Sequence, residues 1–496
     1  MNFRNVMMGV GVVFATVYNC LNVNAKEAVW AENLAVAITK VEQYVENTYP
    51  VNSTSRRLQK KNLERILQSK QSEAQKIFEL RNKFPDAFPG PEELNEAKSQ
   101  GVKFSTDGKT LKHCPARISS LIIPSCVTVI GDNAFRASKL QSVTIPNSVT
   151  KIGDNAFYGC GLRNVIIPDS VTEIGYNAFK RCHLLQSVTI SNNVTKISDG
   201  AFENCKSLQS VTISNSVTKI GYNAFKHCHL LQSVTIPNSV TTIDSSAFYG
   251  CRNLQSVTIS NGVTTIGAEA FSGCESLQSV TIPNGVTTIG AEAFSGCKSL
   301  QSVTIPNSVT KIGAGAFSGC KSLQSVTIPN SVTKIDSNAF YDCESLQSVT
   351  IPNSITTIDS RAFYGCRNLQ SVTIPNSVTT IGDSAFAGVW KVEVANNHPV
   401  FVNDESGALI DLKHSKLYHF PSNYQGSYKV PSGVTAIGSH AFYSCGSLRN
   451  VIIPDSVTKI GDNAFYGCEN LQSLEIPESC RGSIAPLPLK CKVIRR

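Results

Sequence analysis

The chain has 496 residues, with 45 Lys and Arg against 36 Asp and Glu and a net charge of +9. The basic residues are dispersed rather than gathered in runs, which argues against a nucleic-acid-binding block. Such a length ordinarily suggests about three domains, but one short unit recurs through most of this chain, so length here counts copies.

In chain order, the first element is a leader. Arg4 precedes an apolar stretch at residues 6–17, and Val23-Asn24-Ala25 has the small-residue pattern of a cleavage site after Ala25. The alternative, a lipid anchor through Cys20, needs a small residue before the cysteine, and Asn19 fits poorly. Beyond the leader no stretch approaches the ~18 uninterrupted apolar residues of a membrane helix. An exported chain with no transmembrane segment is expected, secreted or held at a cell surface.

Two helical patterns follow. Residues 27–47 carry Val29, Leu34, Ala37, Ile38 and Val41 at helical spacing, and Tyr49-Pro50 with Asn52-Ser53-Thr54 breaks the run. A second helix is predicted over residues 55–84, with Leu63, Ile66, Leu67, Ala74, Ile77 and Phe78 on one face. The plain reading is a helical hairpin covering the open first coil, because solenoid ends must be covered. A basic amphipathic helix also suits a membrane surface or a partner. A proline-rich joint at residues 85–91 leads to a short helix at residues 92–99. Strands begin near Val102, with Thr106-Asp107-Gly108 as the turn between Phe104 and Leu111.

The repeated unit is LQSVTIPNGVTTIGAEAFSGC, residues 277–297, which returns nearly unchanged at residues 254–274 and 300–320. Its phenylalanine marks every copy, at Phe135, Phe157, Phe179, Phe202, Phe225, Phe248, Phe271, Phe294, Phe317, Phe340, Phe363, Phe386, Phe442 and Phe465. Leu277, Val280 and Ile282 alternate with Ser279 and Thr281, as on a strand with one buried face. Pro283 has no N–H for a ladder and ends the strand, and Asn284-Gly285 makes a turn. Val286 and Ile289 point inward from a second short strand. Gly290 stands where a positive φ is expected; its replacements are Asp244, Asp336, Asp359 and Ser198, of which the three Asp tolerate such turns better than most residues. Ala293, Phe294 and Cys297 close the coil.

The long interval after Phe386 is read as an elaborated repeat. Leu417-Tyr-His-Phe-Pro421 inside it matches Leu111-Lys-His-Cys-Pro115 at nearly the same distance before the next Ala-Phe pair. The expected layout is a leader at 1–25, a helical cap module at 26–100, an opening coil at 101–134 and repeats at 135–386. The elaborated repeat takes 387–441, and final repeats with a C-terminal cap take 442–496.

Twelve of the 17 cysteines recur at one coil position. Stacked residues of successive coils lie about 4.8 Å apart, against the Cβ separation near 3.8 Å that a disulfide wants, so a buried ladder of free thiols is expected. Cys114 with Cys126, and Cys480 with Cys491, are candidate disulfides that would staple the two ends, although spacing alone does not fix connectivity.

The pattern L-x-x-V-x-I-P-x-x-V-x-x-I-G-x-x-A-F-x-x-C resembles the BspA-type subclass of leucine-rich repeats, from about Leu111 to the C-terminus. Ser191, Ser214 and Ser260 depart from it in place of the proline, and Ala137-Ser138 leaves the first coil without its cysteine. The resemblance implies a right-handed, curved, β-rich repeat solenoid, here with a small N-terminal helical cap. It also implies secreted or surface proteins of bacteria and some protists, used in adhesion and protein–protein contacts.

No nucleophile elbow, phosphate loop or acidic calcium repeat stands out, so neither an enzyme nor a cofactor is expected. His227-Cys228-His229 is a poor zinc site, because periodicity turns the cysteine inward and its neighbours outward. The phenylalanine spine reads as core. The candidate binding surface is the polar sheet grid of Gln278, Ser279 and Thr281, repeated at Gln301, Ser302 and Thr304. Beside it stands an aromatic and basic row after the phenylalanines, including Lys226, Tyr249, Tyr341 and Tyr364. Those tyrosines suit an interface or simply cover the turn beneath. Lys151, Lys196, Lys219, Lys311, Lys334 and Lys459 form a second row that would meet acidic glycans or merely be solvated. The expected partner is a protein or glycoprotein on a host or neighbouring cell, with no nucleic acid. A plain scaffold for the helical module is the alternative. Ice binding through the Thr rows is a third reading, against which sheet curvature stands.

Overall fold

A computed structural model of the chain describes residues 25–48, 54–69, 76, 80, 83, 90–482, 484 and 486–496. The expected leader, with Cys20, and most of residues 70–89 lie outside the described residues. Helix α1 spans Ala25–Thr48, α2 Thr54–Gln68 and α3 Gly90–Ser99. The second helix therefore ends at Gln68, well before Phe84. Both the N–H and the hydroxyl of Ser69 donate to the Ile66 carbonyl, at 3.3 and 2.7 Å, and close the last turn.

The helices divide the covering of the first coil in a way the sequence did not suggest. Ala37, Val41 and Val45 of α1 pack on Leu63 and Ile66 of α2, and this small cluster meets the array through Ile122. Ile122 occupies the outward threonine position of the first long strand, so the helical pair sits against the sheet face. The open end of the core is closed instead by Ala97 of α3 and Val102, which join the main core. An antiparallel hairpin, Lys103–Phe104 with Thr110–His113, follows at once.

Each regular coil contributes a long strand such as Ser279–Thr281 and a two-residue strand such as Thr288–Ile289. Both rows pair in parallel and in register: Ser279 with Ser302, Val280 with Val303, Thr281 with Thr304, and Ile289 with Ile312. Equal repeat lengths place like residues side by side, so each apolar position becomes a continuous buried ladder. The third side is a chain of tight turns in which amides alternate between two partners. In one coil Ala293, Ser295 and Cys297 N–H groups bond within the turn, while those of Glu292, Phe294 and Gly296 bond the next coil at 2.7–2.8 Å. Every amide of this stretch is satisfied although much of it is buried.

Positive φ falls at Glu292 (55°) and Gly296 (69°), not at Gly290. The expectation at Gly290 was therefore wrong, and so was its extension to Asp244, Asp336, Asp359 and Ser198. What constrains Gly290 in its own coil is close approach: a Cβ there would stand 2.5 Å from the Ala268 nitrogen and 2.6 Å from the Gly267 oxygen of the preceding coil, whereas the coils of Ser198, Asp244, Asp336 and Asp359 accommodate a side chain at this position.

The phenylalanines form the spine expected of them. From Phe135 to Phe386 successive rings stack within 8° of parallel. Their separation grows from 4.8 Å at Phe135–Phe157 to 5.7 Å at Phe363–Phe386, against the roughly 4.8 Å between paired strands. The coils thus stand slightly farther apart along this spine than along the paired strands.

All twelve ladder cysteines are buried free thiols. They are more than small hydrophobes, because the Cys297 thiol donates to the Phe271 carbonyl at 3.3 Å, an acceptor already bonded by the Cys274 N–H. Burial pushes Cys205, Cys251 and Cys297 up to about 12, so they stay protonated. In the first coil Ser138 stands in for the cysteine and meets Cys160 Sγ at 3.3 Å. The terminal staples are not formed: no disulfide links Cys114 to Cys126 or Cys480 to Cys491. The Cys114 and Cys126 thiols donate to different carbonyls, those of Pro115 and Gly108, each at 3.8 Å.

Between residues 387 and 441 the array changes without ending. Val392–Val394 still pairs with Val372–Ile374, but Phe401–Asn403, Leu409–Asp411 and Lys416–His419 form an antiparallel meander. Its last strand pairs in parallel with Ala436–Ile437, as Thr110–His113 does with Val129–Ile130. The expected match of the two segments is thus present, with Cys114 and Phe420 N–H groups making equivalent bonds to Ala134 and Ala441. Leu409–Asp411 is buried on both faces and divides the core in two. Leu409 belongs to the first part, while Ala408 and Ile410 belong to the second. Lys492–Arg495 pairs with Ser473–Ile476 as a last strand.

Candidate binding surfaces

The sheet grid is where the alternation of the long strand places it. Gln278, Ser279, Thr281, Gln301, Ser302 and Thr304 are all exposed, on one face, around the buried Val280 and Val303. Backbone bonds hold the glutamines in file, Gln301 N–H to the Gln278 oxygen at 2.9 Å and Gln324 N–H to Gln301 at 3.1 Å. The face carries amides and hydroxyls at coil spacing and almost no charge. Where it reaches the elaborated repeat it deepens into a concavity of about 750 Å³, lined by Gln347, Thr350, Gln370, Thr373, Asn376 and Ala395 among others. Sequence reasoning missed this feature, because it depends on how two successive coils and Ala395 are placed around one another.

The tyrosine and lysine candidates lie elsewhere, on the turn side. Lys226 Nζ is 4.8 Å from the Tyr249 ring centroid, and the His227 ring meets the same tyrosine at 5.3 Å. Tyr341 and Tyr364 stack at 5.1 Å, and Tyr364 packs at 5.0 Å on Tyr443, 79 positions later. Tyr443 is only 6% exposed and continues to Tyr466 at 5.6 Å. Its hydroxyl accepts a bond from Arg367 at 3.4 Å. This part of the row therefore bridges the elaborated repeat from outside, and much of its ring area is spent on packing. Desolvation holds the Tyr364 hydroxyl well above its ordinary pKa.

The second lysine row is largely neutralised. Lys151 pairs with Glu173 at 2.9 Å and Lys219 with Asp244 at 2.8 Å, while Lys334 lies 2.7 Å from Asp359 and 2.9 Å from Asp336. Hydrogen bonds to these carboxylates, Asp359 foremost, raise the Lys334 pKa. Each acid sits on the same or an adjacent coil, which is why a scan along single positions did not show it.

No metal cluster of three or more His, Cys, Asp or Glu occurs among the described residues. At His227-Cys228-His229 the rings are 5.6 Å apart at 71°, and the buried Cys228 thiol points away to the Phe202 carbonyl at 3.3 Å. Among the described residues no helix is long and apolar enough to cross a membrane.

Strand rows in register, a stacked phenylalanine spine and a thiol ladder define a leucine-rich-repeat solenoid. The sequence profile of the BspA type leucine rich repeat region matches residues 107–231, 174–301, 223–347, 287–398 and 416–484, so the chain belongs to that family. A leucine-rich repeat protein from Bacteroides ovatus ATCC 8483, known from its crystal structure, is similar over 80% of this chain and 97% of its own. Its identity is 25% and its TM-score 0.51. One from Eubacterium ventriosum ATCC 27560 covers 58% of this chain and 81% of its own, at 29% identity and TM-score 0.43. A leucine rich cell surface protein from Faecalibacterium prausnitzii A2-165 covers 77% and 93%, at 26% identity and TM-score 0.37. Among curated proteins none matches the chain.

Proposed function

We propose that this chain is an exported, surface-associated repeat protein without enzymatic activity that binds a protein or glycoprotein on a host or neighbouring cell. The observation that carries this reading is the sheet grid, in which exposed Gln, Ser and Thr stand in register coil after coil. Such a face offers many weak hydrogen bonds to an extended partner, and repetition turns weak contacts into useful affinity. Membership of the BspA-type family supports it, since those proteins are generally secreted or surface-borne and typically act as non-enzymatic scaffolds.

The test is binding of the full chain to a panel of purified extracellular-matrix proteins and to intact cells. Replacing Gln278, Thr281, Gln301 and Thr304 together with alanine is expected to weaken saturable binding by about tenfold, or ~1.4 kcal/mol. Leu58→Ala, on the exposed side of α2, is expected to change nothing. Loss on Leu58→Ala with the sheet variant intact would move binding to the helical pair and leave the array as its scaffold.

A further inference from the structure

On the turn side of the array the segments after the phenylalanines are divided in charge, although Asp132, Asp154 and Asp199 stand before them in the same coils. In the five coils marked by Phe135, Phe157, Phe179, Phe202 and Phe225, the segments after the phenylalanine carry Arg136, Lys139, Lys180, Arg181, Lys206 and Lys226. They carry one carboxylate, Glu203, which lies 2.8 Å from Lys180. Among the described residues the other five cations are in no ion pair. Further on the pattern closes on itself: Glu275 is 3.8 Å from Arg252 and 3.0 Å from Lys298, and Lys321 is 2.8 Å from Glu344.

Several of these cations are held in place. The Arg136 guanidinium lies 4.9 Å from the Tyr158 centroid and that of Arg181 5.7 Å from the same ring. Arg136 also donates to Asn133 at 3.1 Å, and Lys226 lies over Tyr249. Cation–π contacts leave the guanidinium N–H groups outward and reduce the freedom lost on binding. The geometry points to a docking edge for a linear anionic polysaccharide, one bearing carboxylate or sulfate groups along a single chain.

Other polyanions fit less well. An acidic peptide that adds a strand needs unpaired backbone groups, but here the N–H groups of Arg181, Asn204 and His227 already bond the next coil at 2.7–2.8 Å. Single-stranded nucleic acid needs open aromatic faces on which bases stack, and Arg136 and Arg181 occupy the Tyr158 ring. A sugar chain uses both the cations and the apolar points between them, Leu184 at 43% exposure and Leu230 at 40%. This edge is separate from the sheet grid and makes a second binding surface, independent of the partner proposed for the sheet.

The experiment is binding of the full chain to immobilised heparin, with polyglutamate and duplex DNA as competitors at equal charge. Wild type is expected to bind at low ionic strength and to release near 1 M salt, where the screening length is about 3 Å. Replacing Arg136, Lys139 and Arg181 together with serine should weaken binding by about tenfold or more. The pair Lys139→Ser and Lys206→Ser, both exposed, should act in the same direction with the unfolding profile unchanged. Lys298→Ser with Lys321→Ser, or Gln301→Ala with Thr304→Ala, should stay within about twofold. Absence of heparin binding, equal loss from the Lys298 and Lys321 pair, or displacement of heparin by polyglutamate or DNA at equal charge would overturn the proposal.

Discussion

The uniform coils and the elaborated repeat solve the same problem in opposite ways. Between Phe202 and Phe386 the backbone of the turns and strands is satisfied by translation, since the next coil brings an equivalent partner to an equivalent place, and only the buried Asn223 Oδ1 and Ser377 hydroxyl lack a partner among the described residues. Between residues 395 and 415 the repeat is interrupted, and single side chains take over. Asn403 accepts from the Val394 N–H at 2.9 Å and donates to the Val392 and Gly407 carbonyls at 2.8 and 3.2 Å. His398 accepts two backbone N–H groups on Nδ1 at 3.1 Å and faces the Pro375 carbonyl through Nε2. The difference teaches where robustness lies: damage to the uniform part is shared with neighbours, whereas damage to the irregular part uncouples the two cores.

The largest expected effect is local all the same. Phe294→Ala should cost about 3–5 kcal/mol, read as lost amide protection by hydrogen exchange in the coils from Phe271 to Phe317. Spread of that loss to the C-terminal core would show that the array unfolds as one unit.

Acid should reverse the ranking of the two regions. Burial lowers the His398 pKa and takes His419, whose Nε2 has no partner, to about 3. Below about pH 6.5 the unfolded chain binds protons that these folded imidazoles refuse, so stability present above that pH falls as pH drops toward 3. His419 loses about 1.4 kcal/mol per pH unit in that window, and His398 acts in the same direction. Hydrogen exchange at falling pH should open residues 398–420 first and leave residues 254–363, which contain no histidine, protected. Parallel loss in both would contradict the comparison.

Smaller effects sharpen it. Asn403→Ala removes three hydrogen bonds and should cost about 2–3 kcal/mol, with opening confined to the meander and the C-terminal core. Thr304→Ala, on the exposed grid, should stay within about 0.5 kcal/mol by thermal unfolding.

Most of the array was legible because periodicity is written in residue types. Strand alternation at Val280 and Ile282, the spine at Phe294 and the ladder at Cys297 each follow from one position recurring. What stayed hidden depends on the offset between coils. Gly290 is constrained by Gly267 and Ala268, not by its own φ. Tyr364 meets Tyr443 only after an intervening meander, and Lys334 meets Asp359 across a coil boundary. The helical pair reaches the array through Ile122, whose departure from threonine was visible but had no partner in the linear pattern. The candidate surfaces were half legible: alternation gave the exposed grid, whereas its concavity and the splitting of sheet from turn side needed the folded coils.

The central claim is that the residues holding the fold and those meeting a partner are different members of the same coil. The most direct measurement is paired: matrix-protein binding and hydrogen exchange of the full chain carrying alanine at Gln278, Thr281, Gln301 and Thr304. Binding reduced by about tenfold with amide protection unchanged is the predicted result. Unchanged binding, or protection lost together with binding, would contradict it.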